Sequence, residues 1–211
     1  VSDASRAVER WRRAVAPHAR PAPPPDPRRS ALLIVDMQRH FASLCAPIVD
    51  RVARAAAACR SAGVPVFFTQ HGHADPAVDG GMLGRWWGEL IVEGTDDHGL
   101  LPELGIRDTD TIIPKRRYSA FHETDLDDLL RQRGVEDLAI AGVMTNLCVE
   151  TSARDAFVRD YLVRVLMDAT ATVTDAMQEA SLVNLAYGFA HVQSVDAWLR
   201  GLGLSPESSD G

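Results

Sequence analysis

Short β-rich runs alternate with helical stretches along this chain, and several of the runs are apolar at nearly every position. These two observations predict an α/β fold, because strands separated by helical segments of about 10 to 15 residues are the signature of βαβ units and a parallel sheet. Near-continuous apolar strands such as "ALLIV" imply burial on both faces and therefore helices on both sides. The expected architecture is a three-layer α/β/α, doubly wound, mostly parallel sheet of about six strands, Rossmann-like in plan.

The elements follow in order. Residues 4–16, "ASRAVERWRRAVA", have helical composition, and the prolines of "PHARPAPPPDPRR" remove donors and favour extended geometry. Residues 1–29 thus read as an N-terminal helix and Pro-rich arm. Two fates are open to it: a disordered leader, or an arm packed on its own domain or on a neighbouring subunit. Expected strands are "ALLIVDM" (31–37), "VPVFFTQ" (64–70), "TDTIIPK" (109–115), "DLAIAGV" (137–143), "LVRVLMDA" (162–169) and "HVQSVDA" (191–197), with helices near 47–62, 124–133, 147–160 and 174–188. No internal repeat is visible. The domain is expected over residues 30–200, with residues 201–211 as a flexible tail.

Bulk properties narrow the function classes. A chain of 211 residues with 46% hydrophobic content suits one core. A formal charge of −7 without a basic run argues against nucleic acid or an anionic membrane as the main partner and favours a small molecule. No stretch reaches the roughly 18 apolar residues of a membrane span, and "VSDASRAVERWRR" lacks the apolar core of a signal peptide, so a cytoplasmic location is expected. The three cysteines, Cys45, Cys59 and Cys148, form no CxxC pair, which points to free thiols rather than a disulfide framework or a structural zinc site.

In open parallel sheets, ligands bind at the carboxyl ends of the strands. Asp36 ends the first expected strand, Lys115 the third, and Cys148 follows the fourth at what reads as the first turn of a helix. Taken singly, each has a plain explanation: a turn residue, a solvated charge, a small buried hydrophobe. Together they make a nucleophile with its activators. A thiol with a free pKa of about 8.5 needs a base, a cation or a helix N-terminus to become reactive. Asp36 can take the proton, Lys115 can stabilise both anions, and the amides of Met144 and Cys148 are candidate donors to an oxyanion.

The combination of "LLIVDMQRHF", "PKRRYSAFHETDLDDLL" and "GVMTNLCVETSARDAF" resembles the isochorismatase-like hydrolases over about residues 30–198, and within them the cysteine-hydrolase branch of nicotinamidases, N-carbamoylsarcosine amidases and ureidoacrylate amidohydrolases. The resemblance implies an Asp36–Lys115–Cys148 triad, a non-proline cis peptide at Val143–Met144, an oxyanion hole of Met144 and Cys148, and homodimers or homotetramers. It implies C–N bond hydrolysis of a small amide, carbamoyl or ureido compound through a thioester, with no cofactor. Two other functions compete: isochorismatase-type vinyl-ether hydrolysis with Asp36 as the acid, and a catalytically silent binding domain. The cysteine argues against the vinyl-ether branch, which has a non-nucleophile at that position.

Nicotinamidases of this family place an Asp-x-His pair and a later histidine around a metal. Here His71 replaces the aspartate, His73 matches the histidine, and "WWGELIVEGT" supplies no third ligand. Imidazoles at i and i+2 of an extended segment face opposite ways, so no metal is expected, and the incomplete set counts against nicotinamide as substrate. Gln38, His40, Phe41, Trp86, Trp87, Tyr118, Phe121 and Asn146 are the expected substrate-binding residues, since aromatics beside strand ends commonly line pockets. The loops 39–47 and 71–98, which would select the substrate, carry no readable code.

Overall fold

The structure, a computed structural model, describes residues 3–204, with side chains from Ser5 onward. Six strands form one sheet: β1 Ser30–Val35, β2 Val66–His71, β3 Thr111–Lys115, β4 Asp137–Val143, β5 Leu162–Ala171 and β6 His191–Gln193. Their order is β3-β2-β1-β4-β5-β6 and every pairing is parallel, rather than mostly parallel as expected. The chain builds outward from β1 in one direction and from β4 in the other, so the switch point lies between β1 and β4.

Nine α-helices flank the sheet among the described residues: α1 Asp3–Val15, α2 Ala42–Cys45, α3 Val49–Ser61, α4 Pro76–Asp79, α5 Gly81–Trp87, α6 Leu126–Gln132, α7 Glu150–Phe157, α8 Asp175–Gly188 and α9 Val195–Gly201. Alternate residues of β1 feed two cores, as the two-residue period of a strand requires. Leu33 and Val35 pack with α6, α7 and α8 through Leu126, Leu130, Ala153, Ala156, Leu182 and Leu185. Leu32 and Ile34 pack with α3 and α9 through Val52, Ala55, Val195 and Trp198 on the other face.

The N-terminal segment packs on its own domain. Val15 is buried and Trp11 lies against the first core, while Arg10 pairs with Asp175 at 2.9 Å and Glu179 at 3.3 Å on α8. The proline-rich stretch is fixed further on: the Pro23 carbonyl accepts a 2.7 Å bond from Arg164, which also pairs with buried Asp137 at 2.8 Å. At the other end Leu202 is buried in the second core, and the expected tail from residue 205 onward lies outside the described residues.

Two boundaries differ from expectation. The sixth strand stops at Gln193 because the Ser194 hydroxyl caps a helix, accepting from the Ala197 amide at 3.2 Å, and Val195, Trp198 and Leu199 then bury one face at helical spacing. The third strand starts two residues late, at Thr111, because Asp110 is held by Arg60 at 2.6 Å and by the Arg107 amide at 2.8 Å. Helices α4 and α5 arise within a connection in which sequence had placed none.

Candidate active site

Three strand ends converge beside the switch point. Asp36 follows β1 with φ 51°, a left-handed backbone that few non-glycine residues adopt, and it turns the chain out of the sheet. Lys115 is the last residue of β3, and Cys148 lies in a π-helical turn, Thr145–Val149, that leads into α7. Such single wide turns recur at functional sites. Gly142 lets β4 approach β1 here: its φ is 109°, and a Cβ would stand 2.1 Å from the Val35 carbonyl oxygen. The Val143–Met144 peptide that follows is cis.

The three side chains are in direct contact. Lys115 Nζ lies 2.8 Å from Asp36 Oδ2 and 3.5 Å from Cys148 Sγ, and it donates to the Arg117 carbonyl at 2.8 Å. Three neighbours thus surround the ammonium: a carboxylate, a thiol sulfur and a backbone carbonyl. The other carboxylate oxygen of Asp36 accepts from Thr69 Oγ1 at 2.5 Å, and Thr69 Oγ1 in turn accepts the Asp36 amide at 3.0 Å. Thr69 was not among the expected residues. The signal for it was weak: it sits on β2, next to β1, near the same strand ends.

Burial and charge act against each other in this cluster. Burial alone would lower the Lys115 pKa, but the Asp36 carboxylate and the Cys148 sulfur outweigh it and hold the ammonium above its ordinary value. For Cys148, burial dominates and Asp36 adds to it, against Lys115, so the thiol is pushed up to about 12. Burial thus favours the thiol over the thiolate, and an attack by sulfur requires that the proton have somewhere to go. Cys45 and Cys59 are also pushed up to about 12 by burial, without a carboxylate–ammonium pair in contact, which fits structural roles.

Above the cluster is a cavity of about 530 Å³ that reaches Asp36 and Cys148. His40, Phe41, Trp87, Tyr118 and Asn146 line it, as expected, together with Met144 and Cys148, the expected oxyanion donors. Trp87 Nε1 donates to the Tyr118 hydroxyl at 2.8 Å and ties α5 to the segment after β3. Asn146 accepts from Thr172 Oγ1 at 2.5 Å. Sequence reasoning missed Glu89 and an apolar wall including Leu83, Ile91, Leu147, Val173 and Met177.

Three expected binding residues lie elsewhere. Phe121 is buried in the first core, because the turn after β3 directs it beneath α6 and toward Tyr161 rather than outward. Trp86 is 76% exposed and lines a second groove on the outer side of α5, since adjacent helical residues point about 100° apart. Gln38 is fully buried and acts as a clamp: its amide donates to the carbonyls of His71 and His98 at 2.9 and 2.8 Å and accepts the His71 amide at 2.8 Å.

His71 lines the cavity, with Nδ1 buried and unpartnered, and burial pulls its pKa down to about 4. Its ring meets that of His73 edge to face at 5.2 Å, and His73 Nδ1 lies 3.0 Å from Asp79 Oδ1. Among the described residues no group of three or more histidine, cysteine or acidic side chains is placed to hold a metal ion.

Known proteins match most of the chain. Residues 30–197 match the isochorismatase domain family. Nicotinamidase 3 of Arabidopsis thaliana is 44% identical over 181 residues, covering 84% of this chain and 91% of that one. Ureidoacrylate amidohydrolase RutB of Pseudomonas savastanoi pv. phaseolicola is 36% identical over 211 residues, covering 85% and 86%. The crystal structure of a cysteine hydrolase from Pseudomonas syringae pv. phaseolicola superposes with a TM-score of 0.83 at 31% identity, covering 87% and 98%.

Proposed function

Because the chain belongs to the isochorismatase domain family, we propose that it is a cysteine-dependent amidohydrolase that cleaves the C–N bond of a small, uncharged amide on an aromatic or heteroaromatic ring. The observation that carries this reading is Lys115 Nζ standing 2.8 Å from Asp36 and 3.5 Å from Cys148 beneath an aromatic-walled cavity.

In the proposed reaction, Asp36 takes the Cys148 proton as the sulfur attacks the amide carbonyl. Lys115 holds the thiolate and carboxylate together, and the Met144 and Cys148 amides receive the oxyanion. Collapse of the tetrahedral adduct breaks the C–N bond, and ammonia leaves with the proton held by Asp36. Water then attacks the thioester and returns the thiol and a carboxylic acid.

The cavity lining favours an uncharged amide. It includes the rings of Phe41, Trp87 and Tyr118, and neither arginine nor lysine contributes to it. Lys115 is engaged by Asp36, Cys148 and the Arg117 carbonyl and is not part of the lining. Ureidoacrylate carries a carboxylate that would want such a partner. Nicotinamide, the compound in the name of the 44% identical relative, is an uncharged heteroaromatic amide and suits the lining better; that likeness outweighs the incomplete histidine set as a guide.

The test is ammonia release from nicotinamide, with intact-mass detection of an acyl adduct on Cys148. Wild-type protein is expected to release ammonia, and Cys148→Ala is expected to lose this completely while keeping its fold by circular dichroism. Full activity of the alanine variant would overturn the reading.

A further inference from the structure

The cavity holds one charge that nothing in the described residues neutralises. Asp36 is paired with Lys115, His40 Nδ1 meets Asp97 Oδ2 at 3.2 Å, and burial leaves His71 an uncharged imidazole. Arg116 and Arg117 lie outside the lining, Arg116 paired with Asp79 at 3.0 Å and Glu93 at 3.4 Å, and Arg117 donating to the carbonyls of Asp79 and Arg116 at 3.0 and 2.8 Å; Arg85, in the last turn of α5, is also outside the lining and is not paired with Glu89. Glu89 follows α5, lines the cavity with its side of the chain exposed, and makes no hydrogen bond or ion pair.

We propose that Glu89 is a specificity-determining residue that sorts ligands by charge, admitting uncharged amides, disfavouring amides that also bear a carboxylate, and hastening departure of the carboxylate product. The proposal rests on the amidohydrolase reading and adds the residue that sets its selectivity. Hydrolysis converts RCONH2 and water into RCOO⁻ and NH4⁺, so the organic ligand acquires the sign of Glu89 while still inside the cavity. No cation in the lining is free to retain it. An apolar wall strengthens the repulsion, whereas the solvent exposure of Glu89 lets salt screen it.

The experiment compares two nearly isosteric amides, 3-acetylbenzamide, which is neutral, and 3-carbamoylbenzoate, which is anionic. The ratio of their kcat/KM values, anionic over neutral, is measured for wild type, Glu89→Gln, Glu89→Lys and the control Glu103→Gln, which removes an exposed charge that does not line the cavity. The ratio is expected to rise on the order of threefold to tenfold in Glu89→Gln and further in Glu89→Lys at low salt. The differences should shrink at 0.5 M salt, and Glu103→Gln should match wild type. Inhibition by 3-acetylbenzoate, the neutral amide's product, should tighten in the same order.

A ratio unchanged in both Glu89 variants, or one that changes equally at high salt, overturns the proposal. If neither amide is turned over, the amidohydrolase reading fails separately. Protection of Cys148 from iodoacetamide by benzoate relative to acetophenone then reads the same charge preference without turnover.

Discussion

The floor and the wall of the cavity are built differently. The floor consists of Asp36, Thr69, Lys115 and Cys148, all buried, brought in by three strand ends and a turn, with the ammonium and carboxylate each bound to their neighbours. The wall is assembled from several segments, among them the connection 72–110, which carries α5 and supplies Leu83, Trp87, Glu89, Leu90 and Ile91, with Trp87 53% exposed, Glu89 unpaired, and a Trp87–Tyr118 hydrogen bond across to the segment after β3. A parallel sheet with helices on both faces leaves its strand ends little freedom, so the attacking groups are fixed by the same packing that fixes the fold. The connection carries less of the core and is free to vary, as loops that bear selectivity generally are, and this is where the proposed charge selection by Glu89 would act.

This contrast predicts a gradient of effects. The largest is at the floor: Asp36→Asn removes the acceptor of the Cys148 proton, and kcat/KM should fall on the order of a thousandfold. Retention of more than a tenth of the activity would mean that Lys115 alone suffices and that the floor is not a unit.

The next effect is on stability, where floor and wall meet. His71 faces Lys115, Asp36, His73 and Arg117, and burial lowers its pKa from 6.5 to about 4, with Lys115 adding to the shift and Asp36 opposing it. Between those values the unfolded chain binds the proton and the folded chain does not. This residue therefore opposes folding increasingly as pH falls from 6.5 to about 4, by about 3 kcal/mol in all. Urea unfolding of wild type and His71→Asn at pH 7 and pH 4.5 should show a smaller acid-side loss in the variant. Equal losses would place His71 in open solvent.

A smaller effect is expected at Thr69. Thr69→Val keeps the shape but deletes the hydroxyl that donates to Asp36 at 2.5 Å, and a lost hydrogen bond to a charged group contributes about 1.5–3 kcal/mol. The loss should appear in kcat as roughly tenfold or more. A change confined to KM would place Thr69 outside the floor.

The smallest belongs to the wall. Trp87→Phe keeps an aromatic face but removes the bond to the Tyr118 hydroxyl. KM should rise about twofold to fivefold with kcat nearly unchanged, since one exposed hydrogen bond contributes on the order of 1 kcal/mol. A loss in kcat as large as that of Thr69→Val would erase the distinction between the two regions.

Legibility in the sequence followed the same division. Strands β1, β2, β4 and β5 were readable because buried parallel strands are nearly uniform apolar runs, and Asp36, Lys115 and Cys148 stood where such runs stop. Val195–Gly201 was misread as the end of a strand because "HVQSVDA" is β-rich and the Ser194 cap is only one residue. The wall resisted reading: "GRWWGEL" presents two tryptophans, and only the rotation of α5 decides that Trp87 faces the cavity and Trp86 the outer groove. Likewise Phe121 and Gln38 have types suited to a pocket, but one became core and the other a clamp on the loops around it.

By itself, then, the sequence determined the α/β layering and the positions of Asp36, Lys115 and Cys148 at or after strand ends, because hydrophobic period and strand termini are local properties of the chain. Contact among those residues was decided only in three dimensions: a parallel sheet ordered β3-β2-β1-β4-β5-β6 brings the ends of β1 and β3 and the turn after β4 within bonding distance. The same holds for Thr69, whose hydroxyl meets Asp36 only because β2 is registered against β1, and for Glu89, whose proposed role rests on no counter-ion among the described residues folding against it. Burial, partner distance and net charge of a cavity are properties of the packed chain, and no run of letters contains them.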